Sequence, residues 1–423
     1  MAIGSDPMNS GGERPARWTG ATSWWGGVGA LEEGLPRTTP GGRVRIVVDI
    51  GFASSNKGGA FLRRLLTEPT IAGSEVDLIE HEPRRTTLEN IATTHAEWQK
   101  RPTDMVVIVG GGSTLDFGML CTLSSDLIAV VTRARGRSGL IVLPPPLSIS
   151  GLAVRVAIPT TVGTGAEVSA AACADRAGEK MLVVGDWLRP DIAICDPEAT
   201  EGLSVQALRY AAVEILARLV VPYTTSRPEN AHSIALDLSD EILIANTRAL
   251  LRLSRKLVDG APFSTRDRIA LSAAGAHSHA GWGHLGRMPN SSPVWFVGTE
   301  LSRRLSITKA HATAILLPAW EATVNRGGRE WGDPARLRRL GAMALAENYG
   351  WSGRKSARWV GDLVAALIPD MGGLSVSPGR HGMVAAEVAD ESARRWGRSL
   401  PALGSMPTAS IEALVAESLA TTD

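Results

Sequence analysis

Two stretches of this chain end an apolar run in a turn rich in glycine and hydroxyl residues, a combination suited to phosphate. Met105–Asp116 reads MVVIVGGGSTLD and Ala157–Ser169 reads AIPTTVGTGAEVS. Glycine lacks the Cβ that would hold a phosphate away from backbone N–H groups. Serine and threonine hydroxyls add donors of their own. Two such turns in one chain point to a nucleotide site. A third apolar run, Arg43–Asp49 (RVRIVVD), ends in a carboxylate, at the strand end where open α/β sheets meet their ligands.

Turns of this kind need strands to carry them. Further β-type runs cover Glu75–Ile79, Leu140–Leu143, Val154–Ile158, Met181–Val184 and Ile192–Cys195, and helical spacing covers Phe61–Leu66 and Leu88–Gln99. Structure is expected to begin near Trp25, with a turn and short helix over Gly26–Gly34. The alternation predicts a doubly wound parallel sheet. From Ser204 onward Ala-, Leu- and Arg-rich segments take over at helical spacing: Val205–Val221, Ser233–Leu257, Asp267–Ala280, Ala335–Asn348 and Arg354–Ile368. The expected organisation is therefore a leader and arm over 1–24, an α/β dinucleotide-binding domain over 25–200 and an all-α catalytic or substrate domain over 201–423. MAIGSDP, before Met8, reads as an added leader. A turn-rich segment, Gly281–Pro293, interrupts the helices. Trp282 and Trp295 flank it and are candidates for lining a substrate channel.

Composition narrows the partner. The 423 residues carry 44 Lys+Arg against 43 Asp+Glu, a net charge of +1, which gives no electrostatic case for nucleic acid or an anionic membrane. A small molecule or a peptide fits better. Cys121, Cys173 and Cys195 have no CxxC spacing and lie in apolar surroundings, so they read as buried thiols. No apolar stretch reaches about 18 residues and no signal-peptide pattern opens the chain. The expectation is a soluble cytoplasmic protein.

Taken in order, GVGAL at Gly27–Leu31, the VVD that ends at Asp49, GGGSTLD, PTTVGTGAEV, RPDIAICDP and KAHATAILLP at Lys309–Pro318 resemble the iron-dependent alcohol dehydrogenase and dehydroquinate synthase superfamily. The resemblance runs from about residue 25 to the C-terminus. It implies a nicotinamide cofactor in a cleft between an α/β and a helical domain, and a homodimer. It sets Gly110, Gly111, Gly112 and Ser113 against the cofactor diphosphate, with Asp116 closing the motif, and Thr160, Thr161 and Thr164 as hydroxyl donors around phosphate and ribose. Asp49 falls where the family's carboxylate meets the adenosine ribose, which favours NAD over NADP, the alternative being a helix cap. Lys180 matches a family lysine near cofactor or substrate, the alternative being a solvated side chain.

The metal half departs from the family. The dehydrogenases hold iron or zinc with one carboxylate and three histidines. Alignment puts Glu214 on the carboxylate, Arg218 on the first histidine and His311 on the last, while the middle histidine, due within Trp295–Leu301, is missing. Glu214 and His311 are the surviving metal candidates, and a guanidinium cannot ligate a cation. His277, His279 and His284 are the other donors at hand. The reading is that the metal is absent and Arg218 carries its charge, on the same helix face as Glu214.

Arg218 would then steady an alkoxide or grip a substrate carboxylate, Glu214 would orient it, and His311 would exchange the alcohol proton. The plain alternative is a structural Glu214–Arg218 salt bridge. The expected activity is NAD(P)-dependent oxidation of an alcohol to a carbonyl. The altered metal site is similar to what is expected of specialised-metabolism members, including dehydrogenases that oxidatively decarboxylate a C-terminal threonine in daptide-type ribosomal peptides. That makes a β-hydroxy acid the finer expectation. A sugar-phosphate cyclase and an inactive nucleotide-binding homologue are the alternatives.

Overall fold

The computed structural model describes residues 22–37, 41–134, 138–147, 152–226, 233–279, 282–287, 292–346, 358–370, 376–397, 401–404 and 406–421. The chain forms two compact units: Thr19–Ser204 with Ser264–Ala280, and Val205–Phe263 with Gly281–Asp423. The helix Thr265–His279, expected in the C-terminal domain, thus belongs with the sheet.

Among the described residues nine strands form the frame of the first unit: β1 (Ser23–Gly26), β2 (Arg43–Asp49), β3 (Glu75–His81), β4 (Met105–Gly110), β5 (Leu140–Val142), β6 (Val154–Pro159), β7 (Ala171–Arg176), β8 (Glu179–Val184) and β9 (Ile192–Cys195). The main sheet has the order β1-β9-β6-β4-β2-β3, with every neighbouring pair parallel. Central β4 (MVVIVG) is apolar at every position and fully buried, because both faces of the sheet are covered. Val47, Val106, Ile108 and Ala157 point into one core, with Leu115 and Phe117. Their neighbours Ile46, Val48, Val107, Val109, Val156 and Ile158 point into the other, with Phe61 and Leu65. Successive side chains alternate faces, so one unbroken run of β-branched residues feeds two cores.

Two of the connecting helices are capped by a hydroxyl. Ser55 Oγ accepts from Gly58 N ahead of the helix Asn56–Thr67, and Thr87 Oγ1 accepts from Asn90 N ahead of Leu88–Lys100. β5, β8 and β7 form a separate three-stranded sheet, so the expected strands at Leu140 and Met181 lie outside the main sheet. β7 reads AACADR, without a β-branched or aromatic residue, and pairs antiparallel with β8. β1 (SWWG) starts at Ser23, two residues before the expected onset. The three cysteines are free thiols, and Cys173 is half-buried where full burial was expected.

Among its described residues the second unit has no strand. Its helices include Val205–Thr225, Ser233–Val258, Pro293–Leu305, Lys309–Asn325, Pro334–Ala346, Trp359–Leu367, His381–Ser392 and Thr408–Ala420. Val205–Thr225 and Lys309–Asn325 are buried on most sides. Within the segment where the family's middle histidine was due, Phe296, Val297 and Leu301 are core residues. Glu300 beside them is fully buried and accepts from Arg395 Nη1 at 2.7 Å and Trp396 Nε1 at 2.8 Å. This helix does structural work at the place where the resembling family carries its histidine. No single helix among the described residues is long and apolar enough to cross a membrane.

Candidate functional site

β4 runs straight into the helix Gly112–Cys121, with Gly111 as its N-cap. No side chain caps this helix and no acidic residue stands in its first turn, so its leading N–H groups and the positive end of its dipole remain for an anion. Thr160 N donates to Gly110 O at 3.0 Å, which ties the second turn to the first. A Cβ on Gly111 would lie 3.3 Å from Thr161 Cγ2, and one on Gly112 would lie 3.3 Å from Thr164 Cγ2. Glycine is therefore what lets the two motifs close on each other. Thr161 Oγ1 is buried without a hydrogen-bond partner. An orphaned hydroxyl beside uncapped N–H groups matches a phosphate oxygen, so these residues fit a dinucleotide diphosphate.

Gly165 adopts the left-handed region, φ 66°, just before the short turn Ala166–Val168. His279 packs directly on it.

The other expected cofactor residues have protein partners. Asp49 Oδ1 accepts from Phe52 N at 3.0 Å, the helix-cap role, and Oδ2 accepts from Thr114 Oγ1 at 3.4 Å. Asp116 accepts from Cys173 N at 2.9 Å. Lys180 pairs with Asp175 at 3.1 Å across the β7–β8 hairpin, and Ser113 O accepts from Thr86 Oγ1 at 3.2 Å. Beside Asp49 lies buried His81, which sequence reasoning missed. Its ring stacks on Phe117 at 4.1 Å and Nδ1 is 3.1 Å from Thr114 Oγ1. Burial drives its pKa down to about 4, with Asp49 opposing and Arg85 assisting.

In the second unit, Gln206, Tyr210, Glu214 and Arg218 follow at four-residue steps on the helix Val205–Thr225 and so share a face. Arg218 Nη1 donates to Glu214 Oε1 at 3.0 Å, and the two side chains are only 10% and 19% exposed. They line a small recess with Ser292, Trp295, Lys309 and Thr313. The Lys309 ammonium sits 2.8 Å from the centroid of the Trp295 indole. Of the anticipated trio, Glu214 and Arg218 come together in the recess, with Trp295 on its wall. His311 is not among the lining residues. Its ring lies against Tyr210, centroids 5.6 Å apart. Burial, reinforced by Asp370, raises the Tyr210 phenol above its ordinary value despite a hydrogen bond to Gln206, so it stays a proton donor.

The donor set does not suit iron or zinc. Among the described residues no group of three or more His, Cys, Asp or Glu could hold a metal ion, and Glu214 faces a guanidinium. His277 and His279 fall in the first unit and His284 in the second. Lys309 and Tyr210 were also missed. Tyr210 was readable as the next four-residue step before Glu214.

A family model described as iron-containing alcohol dehydrogenase matches residues 23–197, the main sheet with both glycine turns. Over this stretch the chain is similar to the iron-containing alcohol dehydrogenases. An alcohol dehydrogenase of Thermococcus barophilus is 25% identical over 39% of this chain and 44% of its own length. A 4-hydroxybutyrate dehydrogenase of Cupriavidus necator is 28% identical over 39% and 43%. A phosphonoacetaldehyde reductase of Streptomyces viridochromogenes is 26% identical over 69% and 68%. The chain thus spans less than half the length of the first two. In fold the likeness extends further. An iron-containing alcohol dehydrogenase of Thermococcus thioreducens superposes with a TM-score of 0.71 at 19% identity, covering 95% of this chain and 99% of that one.

Proposed function

We propose that this protein is an NAD(P)-dependent oxidoreductase that interconverts an alcohol and a carbonyl compound. The observation that carries the reading is the pairing of an uncapped helix start with the orphaned Thr161 hydroxyl, a cradle of the shape and polarity that a dinucleotide diphosphate requires. When bound, a nicotinamide supplies the acceptor for a hydride from the carbinol carbon. In this reading the first unit carries the cofactor, with Gly110, Gly111, Gly112, Ser113, Thr160, Thr161 and Thr164 around its phosphates. The second unit carries the substrate. The carbinol O–H proton passes to His311, whose neighbour Tyr210 stays protonated and steadies the developing alkoxide by a hydrogen bond. Arg218, fixed by Glu214, supplies the positive charge in the recess.

The finer reading is a β-hydroxy acid substrate, including a peptide ending in threonine. Hydride and proton removal leave a β-keto acid, whose C–C bond to the carboxylate then breaks to release carbon dioxide, the carbanion taking up a proton. Relatives named for hydroxy acids, the 4-hydroxybutyrate dehydrogenase and the hydroxyacid-oxoacid transhydrogenases, support a carboxylate-bearing alcohol. The test is a titration of the whole protein with NAD and NADP, followed by NADH absorbance with neutral alcohols, hydroxy acids and a Thr-ended peptide. Tight NAD binding and a rise in absorbance are expected, with loss of two hydrogens and carbon dioxide from the peptide. Absence of nucleotide binding overturns the oxidoreductase. An unchanged peptide mass overturns only the peptide substrate.

A further inference from the structure

Asp49 and His81 close the neighbouring strands β2 and β3 and stand opposite each other in the parallel register, and Thr114 lies in the first turn of the helix that follows β4. A carboxylate offers about four lone-pair positions. Asp49 spends one on Phe52 N and one on Thr114 Oγ1, through different oxygens, so each oxygen keeps an acceptor position. Acceptors side by side on one carboxylate match the two hydroxyls of a vicinal diol. A Cβ at Gly51 would come within 3.2 Å of Asp49 Oδ1, so glycine there leaves this oxygen approachable.

The direction of the hydrogen bonds follows from counting protons. The Thr114 hydroxyl has a single proton, and it goes to Asp49. His81 Nδ1, 3.1 Å from Thr114 Oγ1, must therefore carry its own hydrogen and donate to that oxygen. Nε2 is left as the acceptor, 3.4 Å from Thr86 Oγ1. Burial keeps the imidazole neutral, as one donor and one acceptor nitrogen require, and the stacked Phe117 ring holds its plane. Without His81, a helical threonine turns its hydroxyl readily onto the carbonyl one turn back, here that of Gly110. Thr114 Oγ1 is already close, 3.0 Å from where a Cβ on Gly110 would stand. We infer that His81 is a positioning residue for cofactor choice: by donating to Thr114 it directs that hydroxyl onto Asp49, which fixes the carboxylate to receive the 2′- and 3′-hydroxyls of an adenosine ribose and to repel a 2′-phosphate. This role rests on the oxidoreductase reading, which supplies the dinucleotide.

The test titrates NAD and NADP by calorimetry into wild type, His81→Leu, His81→Asn, Thr114→Val, Asp49→Asn and the double variant His81→Leu with Asp49→Asn, each checked for folding by denaturant unfolding at pH 7. His81→Leu should weaken NAD about fivefold, the worth of one neutral hydrogen bond, and leave NADP unchanged. His81→Asn, whose amide N–H stands where Nδ1 stood, should keep the NAD-to-NADP ratio within about twofold of wild type. Thr114→Val removes the intermediate hydroxyl at nearly equal volume and should narrow the ratio as His81→Leu does, so the outcome is decided even if His81→Leu fails to fold. In the Asp49→Asn background, where the amide keeps the helix cap and loses the charge, His81→Leu should have no further effect on either nucleotide. Equal losses for NAD and NADP, an unchanged ratio in a folded His81→Leu or Thr114→Val, or a loss that persists in the Asp49→Asn background overturns the positioning role and leaves the oxidoreductase reading standing. Wild type that binds neither nucleotide overturns both.

Discussion

Gly165 is the position where a single added methyl group tests the cofactor turn most sharply. Its φ of 66° lies in the left-handed region, where an L-alanine is destabilised by roughly 1–2 kcal/mol. The new Cβ would also fall 2.6 Å from His279 Cβ and 3.0 Å from its Cγ and Cδ2. The closest atom is the root of a side chain on the helix Thr265–His279, so relief requires moving backbone, and overpacking of this kind is worth about 1–3 kcal/mol. Gly165→Ala should therefore lower stability by roughly 2–5 kcal/mol, the sum of the two terms, and weaken NAD binding as the Thr160–Thr164 turn shifts. Denaturant unfolding followed by circular dichroism measures the first effect and a nucleotide titration the second. A double-mutant cycle separates the causes. His279→Gly removes every clashing atom and should return the steric part, while His279→Ala keeps the Cβ and should return little. The reasoning fails if Gly165→Ala stays within about 0.5 kcal/mol of wild type, or if His279→Gly restores nothing.

Three further outcomes follow from buried polar groups. Thr161→Val removes an orphaned hydroxyl, so it should stabilise the nucleotide-free protein by about 1 kcal/mol while weakening NAD about tenfold; unchanged NAD affinity in the titration would take Thr161 out of the cradle. His81 is held neutral, its pKa lowered from 6.5 to about 4, so the stability it contributes is complete above pH 6.5 and falls away as pH drops towards 4, by up to about 3 kcal/mol. His81→Leu should flatten that loss in unfolding curves between pH 7 and 4, and parallel curves would show that His81 is not the titrating group. Burial raises Glu321 to about 7 against two backbone donors, Val360 N at 3.0 Å and Gly361 N at 2.8 Å. Here the sign reverses: the contribution is complete below pH 4.5 and is lost as pH rises through 7, by up to about 3 kcal/mol, and Glu321→Gln should remove this dependence from unfolding curves measured between pH 5 and 8.

What could be read from the sequence divides along physical lines. β4 and β6 were readable almost to the residue, because buried parallel strands write continuous apolar runs that glycine turns then punctuate. The Glu214–Arg218 pair was readable because four-residue spacing on a helix is local geometry. β7 was not, since AACADR owes its strand to β8 and not to its own propensity. The same holds for Tyr210 against His311, Lys309 on Trp295 and His81 on Phe117, which join residues from different elements. Nor does the pattern of Thr265–His279, helical like its neighbours, say which unit it joins.

That last helix bears on how the molecule can be made and divided. The polypeptide leaves the first unit after Ser204, builds two helices of the second, returns for Ser264–Ala280 and departs again. A ribosome must therefore emit the first two long helices of the second unit before the residue that covers Gly165 exists. The sheet unit cannot be completed as an autonomous N-terminal product. Expression of residues 22–204 alone should give a protein with an exposed flank where Ala276 meets Val168 and Ala193, and grafting this sheet onto another partner would require carrying an insertion with it.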